Sequence, residues 1–423
     1  MTTNLKKTLK FYDIFFISLG YIIGAGIYSL IYLITYYGKQ YTWLSFLIGG
    51  LISLATGLSY SNLSKYFDNS ASEYDYITKI ISNKFKYCTF TILILLGIFS
   101  TAILCLTFTN IIKKMYPSIS FYLILVVSIL FPSIINIFNI KITSNINIVI
   151  TLIETSILLC VIYMGFKKPT IDYFKTYKNI KNIKNITNIT NIKNITNIKN
   201  IAENTNIFKG VFYGSFLSVF AYSGFEGIPK LANDTINSKE IIPKAIISSI
   251  LVVIILYILV SLSINRILGY KKAGSNINPL SLALGKLFGN NTEYIVNIVT
   301  LFSIFNTILL VILFTSRQLY DIVNKNELNI PKIFGNINST TNTPINSIIF
   351  IVVTTLIVCL YKNITHISFI TNFILFVIFT LINLSNILLY YKNNKNNKNN
   401  RFPYYSIIGL MSSIYMIYLS LFI

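Results

Sequence analysis

Apolar runs of about twenty residues follow one another along almost the whole chain, separated by short stretches rich in lysine, asparagine and tyrosine. A run of that length matches the roughly 30 Å of hydrocarbon that an α-helix needs to cross a bilayer. The pattern predicts about eleven spans, at roughly 12–36, 42–62, 88–112, 120–138, 145–166, 208–230, 243–268, 292–316, 345–361, 366–390 and 403–423. Two of them carry glycine-rich interruptions. The first span contains Gly20-Tyr21-Ile22-Ile23-Gly24-Ala25-Gly26-Ile27-Tyr28, and the sixth contains Phe220-Ala221-Tyr222-Ser223-Gly224-Phe225-Glu226-Gly227. Loosened backbone at membrane depth persists only where it lines a cavity or is buried in protein. Interruptions at corresponding places in two five-helix halves, about 12–166 and about 208–390, point to a binding centre near the midplane. The expected architecture is all-α: one transmembrane domain over 1–423, built as two five-helix halves (5+5) with discontinuous helices one and six and an extra helix at about 403–423.

Composition narrows this further. Of 423 residues, 54% are hydrophobic and only 11% charged, too few charges to cover a soluble core of that size. The net charge of +22 would suggest a nucleic-acid partner on a soluble chain. Here the basic residues fall between the apolar runs, so the expected partner is the lipid bilayer and no nucleic acid. Lys6, Lys7, Lys10, Lys65, Lys79, Lys84 and Lys86 share a side if the N-terminus is cytoplasmic, and the excess of basic residues on that side supports the orientation. The first apolar run is too long for a signal-peptide core and lacks a clear cleavage site, so it reads as a retained span. The loop at 167–207 runs against the count, being lysine-rich yet placed outside. It holds a low-complexity tract from Asn179 to Ile201, whose Asn185-Ile186-Thr187, Asn188-Ile189-Thr190 and Asn194-Ile195-Thr196 match the glycosylation sequon. Cys88, Cys105, Cys160 and Cys359 fall in or beside apolar runs without metal spacing and read as small hydrophobes.

Five motifs stand in order along the chain. Gly20, Ile22, Ile23, Gly24, Gly26, Ile27 and Tyr28 are similar to a G-x-I-I-G-x-G-I-[FY] signature. Phe67-Asp68-Asn69-Ser70-Ala71-Ser72-Glu73-Tyr74-Asp75-Tyr76 follows F-P-x-S-G-G-x-Y-x-Y with Pro and both glycines replaced. Phe220 to Glu226 follows F-A-[FY]-x-G-F-[ED]. Ala232 to Ala245 follows A-E-E-x-x-N-P-x-R-x-I-P-R-A, with Ser238 for proline and Glu240 for arginine. Pro279 to Ala283 and Thr315 to Tyr320 are similar to the two ends of an eighth helix. Together these resemble the amino acid–polyamine–organocation permeases, from about Phe11 to about Tyr404. The resemblance implies the inverted-repeat fold shared with sodium-coupled symporters and transport of amino acids or related amines.

The chemistry of an interrupted helix agrees. Its second half begins with free N–H groups and about half a positive charge, and its first half ends in free carbonyls. The backbone around Ile23, Gly24, Ala25 and Gly26 is therefore expected to take a substrate carboxylate. Carbonyls near Phe220, Ala221 and Tyr222, in the stretch that continues through Ser223, Gly224 and Phe225, are expected to take its amino group. The resemblance implies the same assignment and places Tyr222 and Phe225 as aromatic gates. Glu226 and Glu154 are ionisable groups inside spans, which must pair, meet water or protonate. Both are candidates for coupling or gating, with a proton or sodium as the co-transported ion. Ser303, Asn306 and Thr307 offer further oxygens or helix–helix hydrogen bonds. His366 is the only histidine, so no H-E-x-x-H zinc site exists; no G-x-S-x-G elbow or phosphate-binding loop appears either. No metal, cofactor or enzymatic activity is expected, and a gradient or exchange must supply the driving force. The alternative is a non-transporting amino acid sensor or partner protein on the same fold.

Overall fold

A computed structural model describes residues 6–138, 140–167, 169, 207–276, 278–289, 291–394 and 401–420. The asparagine–isoleucine tract, its sequons and most of the 167–207 loop lie outside the described residues. In chain order the helices are α1 (Phe11–Gly38), α2 (Thr42–Ser64), α3 (Glu73–Ile80), α4 (Lys86–Met115), α5 (Phe121–Ile137), α6 (Ile140–Lys167), α7 (Ile207–Ala221), α8 (Ser238–Leu268), α9 (Tyr270–Ser275), α10 (Pro279–Phe288), α11 (Asn291–Asn324), α12 (Ile345–Cys359), α13 (Ile364–Asn394) and α14 (Tyr404–Ser420). Between α7 and α8 the chain runs as a 3₁₀ stretch, Phe225–Asp234. Among the described residues, seven helices are long and apolar enough to cross a membrane. An α-helix is the form such a segment takes because it satisfies its backbone internally.

Four helices make the centre. α2 packs on α8 and α7, while α1 packs on α7 and α8 and also touches α6 and α11. α4, α5, α11 and α12 pack together on one flank, and α13 and α14 lie against α2. Close approach is bought with small residues, as expected where lipid removes most of the hydrophobic drive between helices. Gly49 of α2 lies on Ser218 of α7, Gly97 of α4 on Thr315 of α11, and Gly165 of α6 on Ser263 of α8.

Two local expectations change. Pro279 to Ala283 open α10, a separate short helix whose Asn278 side chain accepts from the Ser281 N–H. Gly289, at φ 95°, ends it before α11 begins. The loop after α2 also contains a helix, α3, all but one of whose residues are buried. Neither has the length of a span, so an apolar-run reading leaves both as loop.

Candidate functional site

Both interruptions are real departures from helix. Within α1, Gly24 adopts φ 15° and ψ −140°, non-helical in an otherwise continuous element. α7 stops at Ala221, and the chain turns through Tyr222 and Ser223 to Gly224 at φ 135°, a value that L side chains rarely adopt. The two breaks touch. A Cβ on Gly26 would lie 2.9 Å from the Ala221 carbonyl oxygen, and one on Gly224 would lie 3.0 Å from the Tyr21 and Ile22 backbone. On the other side of α1, a Cβ on Gly24 would meet Thr307 Oγ1 of α11 at 2.6 Å. The side chain of Ala25 is outside the described residues.

The carbonyls sort into engaged and converging ones. Phe220's carbonyl accepts from both the Ser223 N–H (3.1 Å) and the Ser223 hydroxyl (2.8 Å). Ala221's carbonyl faces the hydroxyl of Tyr257, a fully buried residue of α8, at 3.2 Å. The same hydroxyl lies 3.0 Å from the Ile22 carbonyl and 3.5 Å from that of Ile23. One phenol thus stands at the C-terminal ends of both first-half helices. Nothing in the sequence singles out Tyr257, one tyrosine of 30.

The aromatic residues of the second break are wedged in place. Tyr222 donates its hydroxyl to the Phe46 carbonyl of α2 at 3.0 Å, and its ring sits 5.0 Å from that of Tyr257. Phe225 stacks on Phe379 of α13 at 5.6 Å and meets Tyr60 of α2 edge-on at 5.8 Å. Phe220, half-buried, packs edge-on against Phe376 at 6.1 Å.

Glu226 serves the break itself. Its Oε2 accepts the Gly224 N–H at 2.6 Å, putting a carboxylate at the start of the 3₁₀ stretch. A carboxylate suits that end of a helical segment, where N–H groups lack partners. Glu154 is different. It is fully buried in α6, and neither carboxylate oxygen has a hydrogen-bond partner. Other buried atoms without partners include the hydroxyls of Thr151 (α6), Ser303 (α11) and Tyr28 (α1). Thr151, Asn147 and Asn306 all crowd the Gly20 position, and Asn147 donates to Asn306 Oδ1 at 3.0 Å. Thr307 bonds back to the Ser303 carbonyl at 2.9 Å. Polar side chains from α1, α6 and α11 therefore meet beside the first break. Among the described residues no His/Cys/Asp/Glu group has the make-up of a metal site.

A second charged set lies where α3, the 3₁₀ stretch and the end of α11 meet. Lys230 pairs with Glu73 at 3.2 Å, both buried. Glu73 also accepts from Tyr60 (3.0 Å) and Gln318 (2.7 Å). Arg317 pairs with Asp234 at 3.3 Å, also buried. Lys79 and Lys325 share Asp75 at 2.9 and 3.0 Å. Tyr74 donates to Glu327 at 3.0 Å, and burial, reinforced by that carboxylate, pushes its phenol well above the ordinary range. The segment before α1 joins this face, because Thr8 and Leu9 donate to the Asp234 carbonyl and Ile236 donates to Leu9. Asp13 caps α1 through the Lys10 N–H at 2.9 Å and pairs with Lys141 of α6 at 2.5 Å. Several of these residues lie inside the motif-like stretches, but their pairing joins positions up to 253 apart in sequence.

A bundle of apolar helices around two abutting breaks defines a polytopic integral membrane protein of the discontinuous-helix type. The family model described as "Amino acid permease" matches residues 9–423, and the chain belongs to that family. It is 22% identical over 387 residues to cationic amino acid transporter 7, chloroplastic, of Arabidopsis thaliana, covering 85% of this chain and 62% of that one. The chain thus spans about three fifths of that relative's length. The serine/threonine exchanger SteT of Bacillus subtilis (strain 168) is 21% identical over 379 residues, covering 88% and 81%. Among solved structures, a Na+-coupled sialic acid symporter in a substrate-bound outward-open state superposes with a TM-score of 0.56 at 12% identity, covering 96% of this chain and 90% of that one. That likeness is one of fold.

Proposed function

We propose that this protein is a secondary carrier that moves amino acids or related amines across a membrane by alternating access, with its N-terminus cytoplasmic. The observation that carries the reading is the meeting of the two breaks, Gly26 against the Ala221 carbonyl and Gly224 against the Tyr21–Ile22 backbone. A zwitterion needs donors for its carboxylate and acceptors for its ammonium within a few ångströms, with no charge left unpaired. The second half of α1, which begins after Gly24, brings the positive end of a helix to the carboxylate. The Ala221 and Ile22 carbonyls supply acceptors for the ammonium; Phe220's is already occupied by Ser223. Tyr222 and Phe225 close the site as packed aromatics. Family membership and transporter relatives support transport over a sensor role. The inverted relation of the two halves is part of the proposal, supported by α1 packing on α8 as α7 packs on α2. With this orientation the Glu73–Lys230 and Arg317–Asp234 pairs form a cytoplasmic gate, held shut here.

Coupling falls to Glu154, with Glu226 acting on gating through the Gly224 N–H. A buried carboxylate without a protein partner must take a proton or hold a cation, because leaving it charged and unpaired is costly. Ser303 and Thr151 supply nearby hydroxyls for either ion. Uptake into proteoliposomes, with the twenty amino acids and polyamines as competitors, tests the carrier reading; saturable binding without flux would convert it to a sensor. Glu154→Gln, assayed across pH and sodium concentration, is expected to lose at least about tenfold of the gradient-driven accumulation while exchange persists. Unchanged accumulation would remove Glu154 from coupling.

A further inference from the structure

The Tyr257 hydroxyl has one proton and faces three carbonyls, those of Ile22 (3.0 Å), Ala221 (3.2 Å) and Ile23 (3.5 Å). These oxygens end two separate first-half helices, each bringing about half a negative charge to the same spot. A single neutral donor undersupplies such a place, and a cationic group with three protons suits it better. The phenol is held there by its ring, which lies 5.0 Å from Tyr222 and 5.4 Å from Phe46, all three fully buried. We propose that Tyr257 is a resident stand-in for the substrate's ammonium. Its hydroxyl bridges the two breaks when no substrate is bound and yields the carbonyls when an amino group arrives.

The consequence is kinetic. A carrier that only exchanges need never reorient unloaded, whereas net transport requires the unloaded form to close and return. The Tyr257 hydroxyl, by giving the converging carbonyls a donor, makes that return step accessible. A conformational step responds to whatever interaction differs between its two end states. Removing the hydroxyl therefore penalises the unloaded closed form and leaves the loaded form with its ammonium.

This inference rests on the carrier reading, and the experiment separates the two. Wild type and Tyr257→Phe are reconstituted into liposomes and assayed with radiolabelled serine, leucine and arginine. Each is measured as exchange against the same internal amino acid and as net uptake into liposomes without it. Tyr257→Phe is expected to keep exchange within about twofold and to lose net uptake by about tenfold, the scale of one hydrogen bond in a dry site. A parallel fall in both modes, or no change in either, overturns the proposal. If wild type gives no flux in either mode, the carrier reading fails. The hydroxyl's role is then judged by thermal unfolding with methylammonium, which should stabilise Tyr257→Phe more than wild type, whose hydroxyl competes for the same carbonyls; no difference between the two overturns it. If Tyr257→Phe does not fold, 3-fluorotyrosine at 257 keeps the shape and strengthens the donor. It should raise KM for the amino acid and favour net uptake relative to exchange, and an unchanged ratio overturns the proposal.

Discussion

The two breaks solve the same problem differently. In α1 the departure is confined to Gly24, and the helix resumes through Ala25-Gly26-Ile27 with no acidic residue in its first turn. After α7 the chain spends Tyr222 to Gly224 on a turn, resumes as 3₁₀, and carries Glu226 in its first turn to accept the Gly224 N–H. The second break therefore brings its own carboxylate, and the first does not. In the proposed carrier, that difference assigns a substrate anion to the α1 break. The carbonyl ends of both converge on Tyr257, so the electronegative side is shared while the electropositive side is divided.

Substitutions can break this comparison. Gly26→Val has the largest expected effect, because its side chain meets the Ala221 carbonyl at 2.9 Å and forces the breaks apart. Uptake in proteoliposomes should fall about 100-fold, the cost of misplacing a binding group by about an ångström. Activity within threefold of wild type would mean the contact is dispensable. Gly224→Ala comes next. Its φ of 135° and the Tyr21–Ile22 backbone at 3.0 Å both oppose a methyl group, worth about 2 kcal/mol of stability and visible as a lower unfolding temperature in detergent. The smallest effect separates the roles of Glu226. Glu226→Ala leaves the Gly224 N–H without its acceptor and should cost about 1 kcal/mol, whereas Glu226→Gln retains an oxygen there and should cost less. Equal losses in the two variants would show that charge, rather than the hydrogen bond, is what the break requires.

Much of the fold was legible in the chain. The predicted spans at 42–62, 120–138 and 345–361 became Thr42–Ser64, Phe121–Ile137 and Ile345–Cys359, because hydrocarbon length and backbone satisfaction act locally along a run. Gly24 and Gly224 could be read as weak points for the same reason, since a missing Cβ is a property of one residue. The short helices α3 and α10 were not legible, as neither has the apolar-run length by which the spans were read. Glu226 was legible as an expensive intramembrane carboxylate, while its bond to an N–H two residues earlier needed the turn's geometry.

Sequence alone therefore determined that this chain is a many-helix membrane protein with two interrupted spans, because each of those facts is written within about twenty consecutive residues. Tertiary structure decided which carbonyls remain to be shared, that Tyr257 reaches both breaks from α8, and that Lys230 neutralises Glu73 in the protein interior. These depend on side chains up to hundreds of positions apart meeting within about 3 Å, a coincidence that helix packing creates and no local pattern records.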